Sequence, residues 1–191
     1  REAMPRNPLD EAPKYRSSGK IQSNLTMEQF VAMRKSIIAW GTAPRCRSDW
    51  ARLLGMLDIV MGSSLRIGEV LALRPYDLDF SGKKPTIEVT GTIVEHAGKL
   101  VRQDVPKAPG QERIIPIPRP AARTLAALAA RTDPNGLLFG TRSGEPDGNA
   151  NRLLGAWKKS AEGQRWIRDT GIKPREVTFK LLRRTAATKT R

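Results

Sequence analysis

Apolar positions recur at intervals of three and four in the first third of the chain, alternate in its middle, and return to helical spacing towards its end. Thr26-Met27-Glu28-Gln29 has the form of a capping box, which predicts a helix start. Met27, Phe30, Val31, Ile37 and Ile38 follow at helical spacing to about Trp40. Gly41 to Arg47 predicts a loop. Ser48 is then placed to cap a second helix with Trp50, Leu53, Leu54, Leu57, Val60 and Met61 on one face, and Gly62 to end it. A short third helix is expected over 65–73, stopped by Pro75.

The middle reads as strand. Residues 86–95 are rich in β-branched side chains, with Ile87, Val89 and Ile93 in alternation. His96-Ala97-Gly98-Lys99 predicts a turn. Residues 100–105 and 113–117 predict two further strands, giving a small three-stranded antiparallel sheet. Helical spacing resumes over 118–130, with Pro120 in the first turn. Leu137-Leu138-Phe139 is a short apolar segment, and 141–148 a polar loop. Helices are expected over 149–164 and from Thr178 onwards. Residues 1–24 hold Pro5, Pro8 and Pro13 without an apolar period and read as an interdomain linker before a domain over 25–191. No internal repeat is visible. The expected class is α+β, mostly helical.

Charge narrows the partner. The chain has 191 residues, with 34 Lys and Arg against 19 Asp and Glu, a net charge of +15. That balance suits a nucleic acid. The basic residues are spread through folded-looking segments rather than massed in a tail, which argues against a membrane-surface role. No apolar run is long enough to cross a membrane. Cys46 is the only cysteine, so no internal disulfide forms, and a cytoplasmic setting is expected. His96 is the only histidine, too few for a Cys/His zinc site. Four Trp, four Phe and two Tyr show no pattern for stacking single-stranded bases, so duplex DNA fits better. Trp50, Trp157 and Trp166 read as core.

Three basic elements are candidates for chemistry. Arg66, near a Ser63 or Ser64 cap, stands one turn before Glu69, on one helix face. Alone, the pair reads equally as a solvated ion pair. Lys107 and Arg113 flank a Pro-Gly loop between strands, where a lysine can reach into a cleft or simply be solvated. On a helix, Lys180, Arg183, Arg184 and Arg191 share one broad face, with Phe179, Leu182 and Ala186 on another. Residues 178–191 hold five basic residues and no acid. Two arginines and a lysine converging on one point would bind a phosphate.

In these segments the chain resembles the catalytic domain of tyrosine recombinases (phage integrases), of the actinobacterial phage and prophage type. Gly62 to Phe80 is similar to the family's first arginine box. Gly91 to Pro118 is similar to its lysine hairpin, and Val177 to Thr188 to its second box, His/Lys-x-x-Arg-Arg/His-Thr. The resemblance implies the DNA breaking-rejoining fold. It also implies site-specific recombination or integration of double-stranded DNA through a phosphotyrosyl intermediate, with no cofactor or metal. Arg66 and Arg183 would clamp the scissile phosphate, Glu69 would support Arg66, and Lys107 would protonate the leaving 5′-oxygen. Lys180 stands where the family usually has histidine, as a phosphate contact or a base. Arg113, Arg184 and Arg191 would contact DNA. Neither Tyr15 nor Tyr76 matches the nucleophile's context. The chain is therefore expected to lack the tyrosine-bearing segment and the N-terminal clamping domain, and to be inactive and monomeric alone. The full-length parent would be a homotetramer on DNA. Two other readings compete: a metal-dependent nuclease using Asp77, Asp79 and Glu88, and a non-enzymatic DNA-binding module.

Overall fold

A long apolar helix runs through the centre of the molecule because almost every position of its middle is buried. In a computed structural model that describes residues 24–44, 46–104, 113–141, 143–148 and 150–189, this helix is α2 (Trp50–Ser63), and Leu53 to Met61 are buried without a break. Helix α1 (Met27–Thr42) precedes it and opens on the expected capping box. Thr26 Oγ1 accepts from Gln29 N at 3.1 Å, and Gln29 Oε1 accepts from Thr26 N at 2.9 Å. α1 buries only Phe30, Met33 and Ile37, as an outer helix should.

The cap of α2 is Asp49, not Ser48: its carboxylate accepts from Arg52 N at 3.1 Å. Gly62 does not end the helix either. A Cβ there would stand 2.3 Å from the Pro118 ring, so this glycine serves close approach rather than termination. The helix ends at Ser64, held in the left-handed region with φ 57°. Helix α3 follows as only Ile67–Leu71, and a 3-10 turn spans Pro75–Asp77.

The strands are β1 (Leu78–Asp79), β2 (Thr86–Val89), β3 (Thr92–His96), β4 (Lys99–Gln103) and β5 (Arg113–Pro116). The expected continuous strand over 86–95 is broken at Thr90-Gly91, and its halves enter different sheets. Among the described residues one sheet has order β1-β2-β5, and β3 pairs only with β4. The expected three-stranded sheet exists with β1 in place of β4. Both pairings of β2 are antiparallel, with Leu78 opposite Ile87 and Glu88 opposite Ile114. The β3–β4 hairpin turns through Ala97 (φ 48°) and Gly98 (φ 75°), the backbone a two-residue hairpin loop demands.

Helix α4 (Arg119–Ala129) follows Pro118. The single helix expected over 149–164 is two: α5 (Ala150–Lys159) and α6 (Ala161–Thr170). Ser160 starts the second by accepting from Gly163 N at 3.1 Å. Helix α7 (Phe179–Lys189) begins at Thr178, whose hydroxyl accepts from Leu181 N at 3.1 Å.

α1, α3, α4, α5 and α7 all pack on α2, and α6 on α1 and α5. Trp157 and Trp166 are buried with ring centroids 5.5 Å apart. Their indole N–H groups donate to Ser36 Oγ and Gln29 O, tying α5 and α6 to α1. Trp50 is half-buried against the same core. Full burial of each large apolar side chain contributes about 1.5–3 kcal/mol. The class is as expected: mostly helical with small antiparallel sheets. Among the described residues no helix is long and apolar enough to cross a membrane. Residues 1–23 of the expected linker, with Tyr15, and Lys107 and Arg191 lie outside the described residues.

Candidate phosphate-binding site

The site forms where α2 ends and α3 begins. Ser64 takes the left-handed conformation there. Arg66 is the N-cap of α3, and its backbone N–H donates to Glu69 Oε2 at 2.7 Å. Its Nη1 lies 3.1 Å from Glu69 Oε1. The Glu69 side chain is 8% exposed, whereas that of Arg66 is 55% exposed. The carboxylate is thus a buried anchor and the guanidinium an open one.

Two further arginines converge. Arg113, first residue of β5, places Nη2 3.1 Å from Glu69 Oε2. Arg183, in the second turn of α7, donates from Nε to Ser64 O at 2.8 Å. That bond joins positions 119 residues apart in the sequence. Two guanidinium groups meet one carboxylate and a third is tied to Ser64, two residues before Arg66, so three arginines stand against one acid at this corner. An Arg183 bound through Nε to a carbonyl still presents its outer edge as a fork for an anion.

The other nominated residues fall elsewhere. Lys180 is exposed in the first turn of α7, one turn before Arg183. Arg184 points to a different neighbour, with Nε donating to Asn24 Oδ1 at 3.0 Å. It joins a seam in which Thr185 Oγ1 accepts from Leu25 N at 3.0 Å. The structure therefore brings Arg66, Glu69, Arg113 and Arg183 together, and turns Arg184 towards the start of α1.

The carboxylates weighed for a metal do separate jobs. Asp77 is buried: Oδ2 accepts from Arg74 N at 2.7 Å and Oδ1 from the Thr90 hydroxyl at 2.7 Å. Asp79 Oδ1 accepts from the Ser81 hydroxyl and amide, which hold its carboxyl below the usual range. Glu88 is exposed opposite Ile114. Among the described residues no three His, Cys, Asp or Glu side chains group as a metal site. Tyr76 is exposed, with its hydroxyl accepting from Arg74 Nη1.

Sequence reasoning missed two parts of the site. A backbone carbonyl such as that of Ser64 has no residue-type signal. The supports behind α3, chiefly Arg102, look in sequence like any strand arginine.

No protein-family model matches the chain, and no curated protein does. Solved structures do. The Tn1549 transposon integrase in complex with circular intermediate DNA aligns with TM-score 0.63 and 19% identity, over 90% of this chain and 55% of that one. A tyrosine-to-phenylalanine form of that integrase, in complex with transposon right end DNA, gives 0.67 and 19%, over 97% and 59%. An arginine-to-lysine form with circular intermediate DNA gives 0.63 and 20%, over 90% and 54%. The chain has the fold of an integrase catalytic domain. At 19–20% identity the likeness is one of fold. The chain spans between 54 and 59% of the chains it matches.

Proposed function

We propose that this chain is the phosphate-clamping part of a tyrosine recombinase catalytic domain acting on double-stranded DNA. The observation that supports the reading is the Arg183 Nε to Ser64 carbonyl bond, which spans 119 positions and ties α7 to the residue two before Arg66. Arg66 and Arg183 hold the non-bridging oxygens of the scissile phosphate. They stabilise the extra charge that builds when a tyrosine oxygen attacks phosphorus and the 5′-oxygen leaves. Glu69 keeps Arg66 and Arg113 in place, Arg113 contacting DNA beside them. Lys180 contacts the same phosphate from the preceding turn of α7, and Lys107 supplies the proton to the 5′-oxygen. Neither Tyr15 nor Tyr76 is the nucleophile. DNA integration of the phage and prophage type, tetramer assembly on DNA and a cytoplasmic setting belong to this same reading.

The test is a duplex-DNA titration across salt concentrations. The logarithm of affinity should fall with the logarithm of salt by about 0.9 per phosphate contact. Arg66→Ala and Arg183→Ala should each reduce that slope by about one contact. Affinity indifferent to salt, or wild-type slopes in both variants, would defeat the proposal.

A further inference from the structure

The most heavily tied arginine near the site is one that no motif nominates. Arg102 lies in β4 opposite Ile93, and its side chain is only 7% exposed. Its Nε donates to Ala72 O at 2.9 Å and its Nη2 to Thr90 Oγ1 at 2.7 Å. The guanidinium also lies 3.8 Å from Asp77 Oδ2 and pairs with Asp104. Gly91 makes room for it: a Cβ there would stand 2.8 Å from the Arg102 Cζ. Ala72 is the C-cap of α3, and Arg66 is its N-cap. In the middle of α3, a Cβ on Gly68 would stand 2.9 Å from the Ile93 carbonyl. The β3–β4 hairpin therefore grips α3 at its middle by backbone contact and at its end through Arg102.

We propose that Arg102 is a positioning residue for the phosphate site, setting the angle at which α3 presents Arg66 and Glu69. The proposal rests on the reading of that site as a phosphate clamp. A helix of this length is only about 7.5 Å long, so its direction is set by what holds its two ends. The tie between Arg183 and Ser64 lies just before its start, and Arg102 fixes its end. The ion cluster around Arg102 is balanced, Arg74 and Arg102 against Asp77 and Asp104, so it adds no net attraction for DNA. Buried ion pairs are poor sources of stability compared with apolar packing. What a planar, forked donor adds is direction. A lysine keeps the charge but cannot meet a carbonyl and a hydroxyl along fixed, diverging lines.

The experiment uses the 191-residue chain and inorganic phosphate as probe. Binding is followed by phosphorus NMR, and the capping bond by the backbone amide resonance of Arg66. Arg102→Lys should weaken phosphate binding about tenfold and move the Arg66 amide, while the α7 amides stay in place. A folded Arg102→Lys protein with wild-type phosphate affinity and an unmoved Arg66 amide overturns the proposal. If Arg102→Lys does not fold, the paired Asp77→Asn with Arg102→Met removes both charges and carries the same expectations. If the wild-type chain binds no phosphate that Arg66→Ala abolishes, the clamp reading falls, and the Arg66 amide alone decides the positioning role.

Discussion

Arg34 and Arg66 each face a carboxylate, at 2.6 and 3.1 Å respectively, yet the two pairs are put to opposite uses. Arg34 joins α1 to α2 through Asp58, with Nε on Oδ1 at 2.6 Å and Nη2 on Oδ2 at 2.9 Å. The Asp58 side chain is 0% exposed and the charges cancel one for one. Arg66 meets Glu69 through one guanidinium nitrogen, keeps 55% of its side chain exposed, and shares its carboxylate with Arg113. A fork spent fully on one carboxylate locks two helices. A fork spent partly, beside other cations, keeps capacity for an outside anion.

The largest effect should come from breaking the locked pair. Arg34→Ala leaves a buried carboxylate without its partner and should cost about 3 kcal/mol of folding free energy at neutral pH, measured by urea denaturation. Burial raises the Asp58 pKa, and Arg34 opposes it by hydrogen bond and charge. A carboxyl with a raised folded pKa contributes stability that is fully present below its ordinary value. That contribution is lost as pH rises through the folded value. Without Arg34 the opposing causes vanish and the pKa rises further. The loss should therefore shrink on acidification from neutral towards the ordinary carboxyl range. A loss that grows on acidification would contradict this account.

A middle-sized effect separates the neighbours Arg183 and Arg184. Arg183→Ala should lower duplex-DNA affinity and its salt slope, and cost about 1 kcal/mol of stability through the lost bond to Ser64. Arg184→Ala should leave the slope near wild type and loosen the seam with Asn24, lowering the melting temperature by about 2–5 °C. Equal DNA defects in the two variants would mean that the α7 face acts as a diffuse basic patch.

What the sequence makes legible is whatever repeats or is local. The capping box at Thr26 and the apolar run of α2 carry their structure in residue spacing. The breaks do not. Thr90-Gly91 lies inside a β-branched stretch, and only the contacts of Arg102 and Asp77 show why the strand must divide there. Ser160 lies inside continuous helical spacing, and its capping role shows only once Gly163 is seen against the Trp157 carbonyl. In the candidate site, motif spacing nominates Arg66, Glu69, Arg113 and Arg183, because those side chains carry the chemistry. It says nothing of Arg184 turning to Asn24, since adjacent residues on a helix point in different directions.

The smallest expected effect concerns the joint between the two arginines. Ser64 holds φ 57°, where a Cβ is unfavourable. Ser64→Gly removes that strain and loosens the unfolded chain, leaving a net gain of about 0.5 kcal/mol with DNA binding unchanged. If the glycine weakens DNA binding at undiminished stability, the stiffness of Ser64 itself helps aim the carbonyl at Arg183.

The bond from Arg183 to Ser64 also orders events in time. It closes a loop of 119 positions, and closure over such a span awaits the packing of α7 on α2. A ribosome making this chain releases Arg66 long before Arg183 is translated. Through that interval the growing chain carries positive charge but no completed anion site. On the proposed clamp reading, selective grip on a phosphate is withheld until α7 has docked, and a protein arrested short of α7 binds DNA only as a loose polycation.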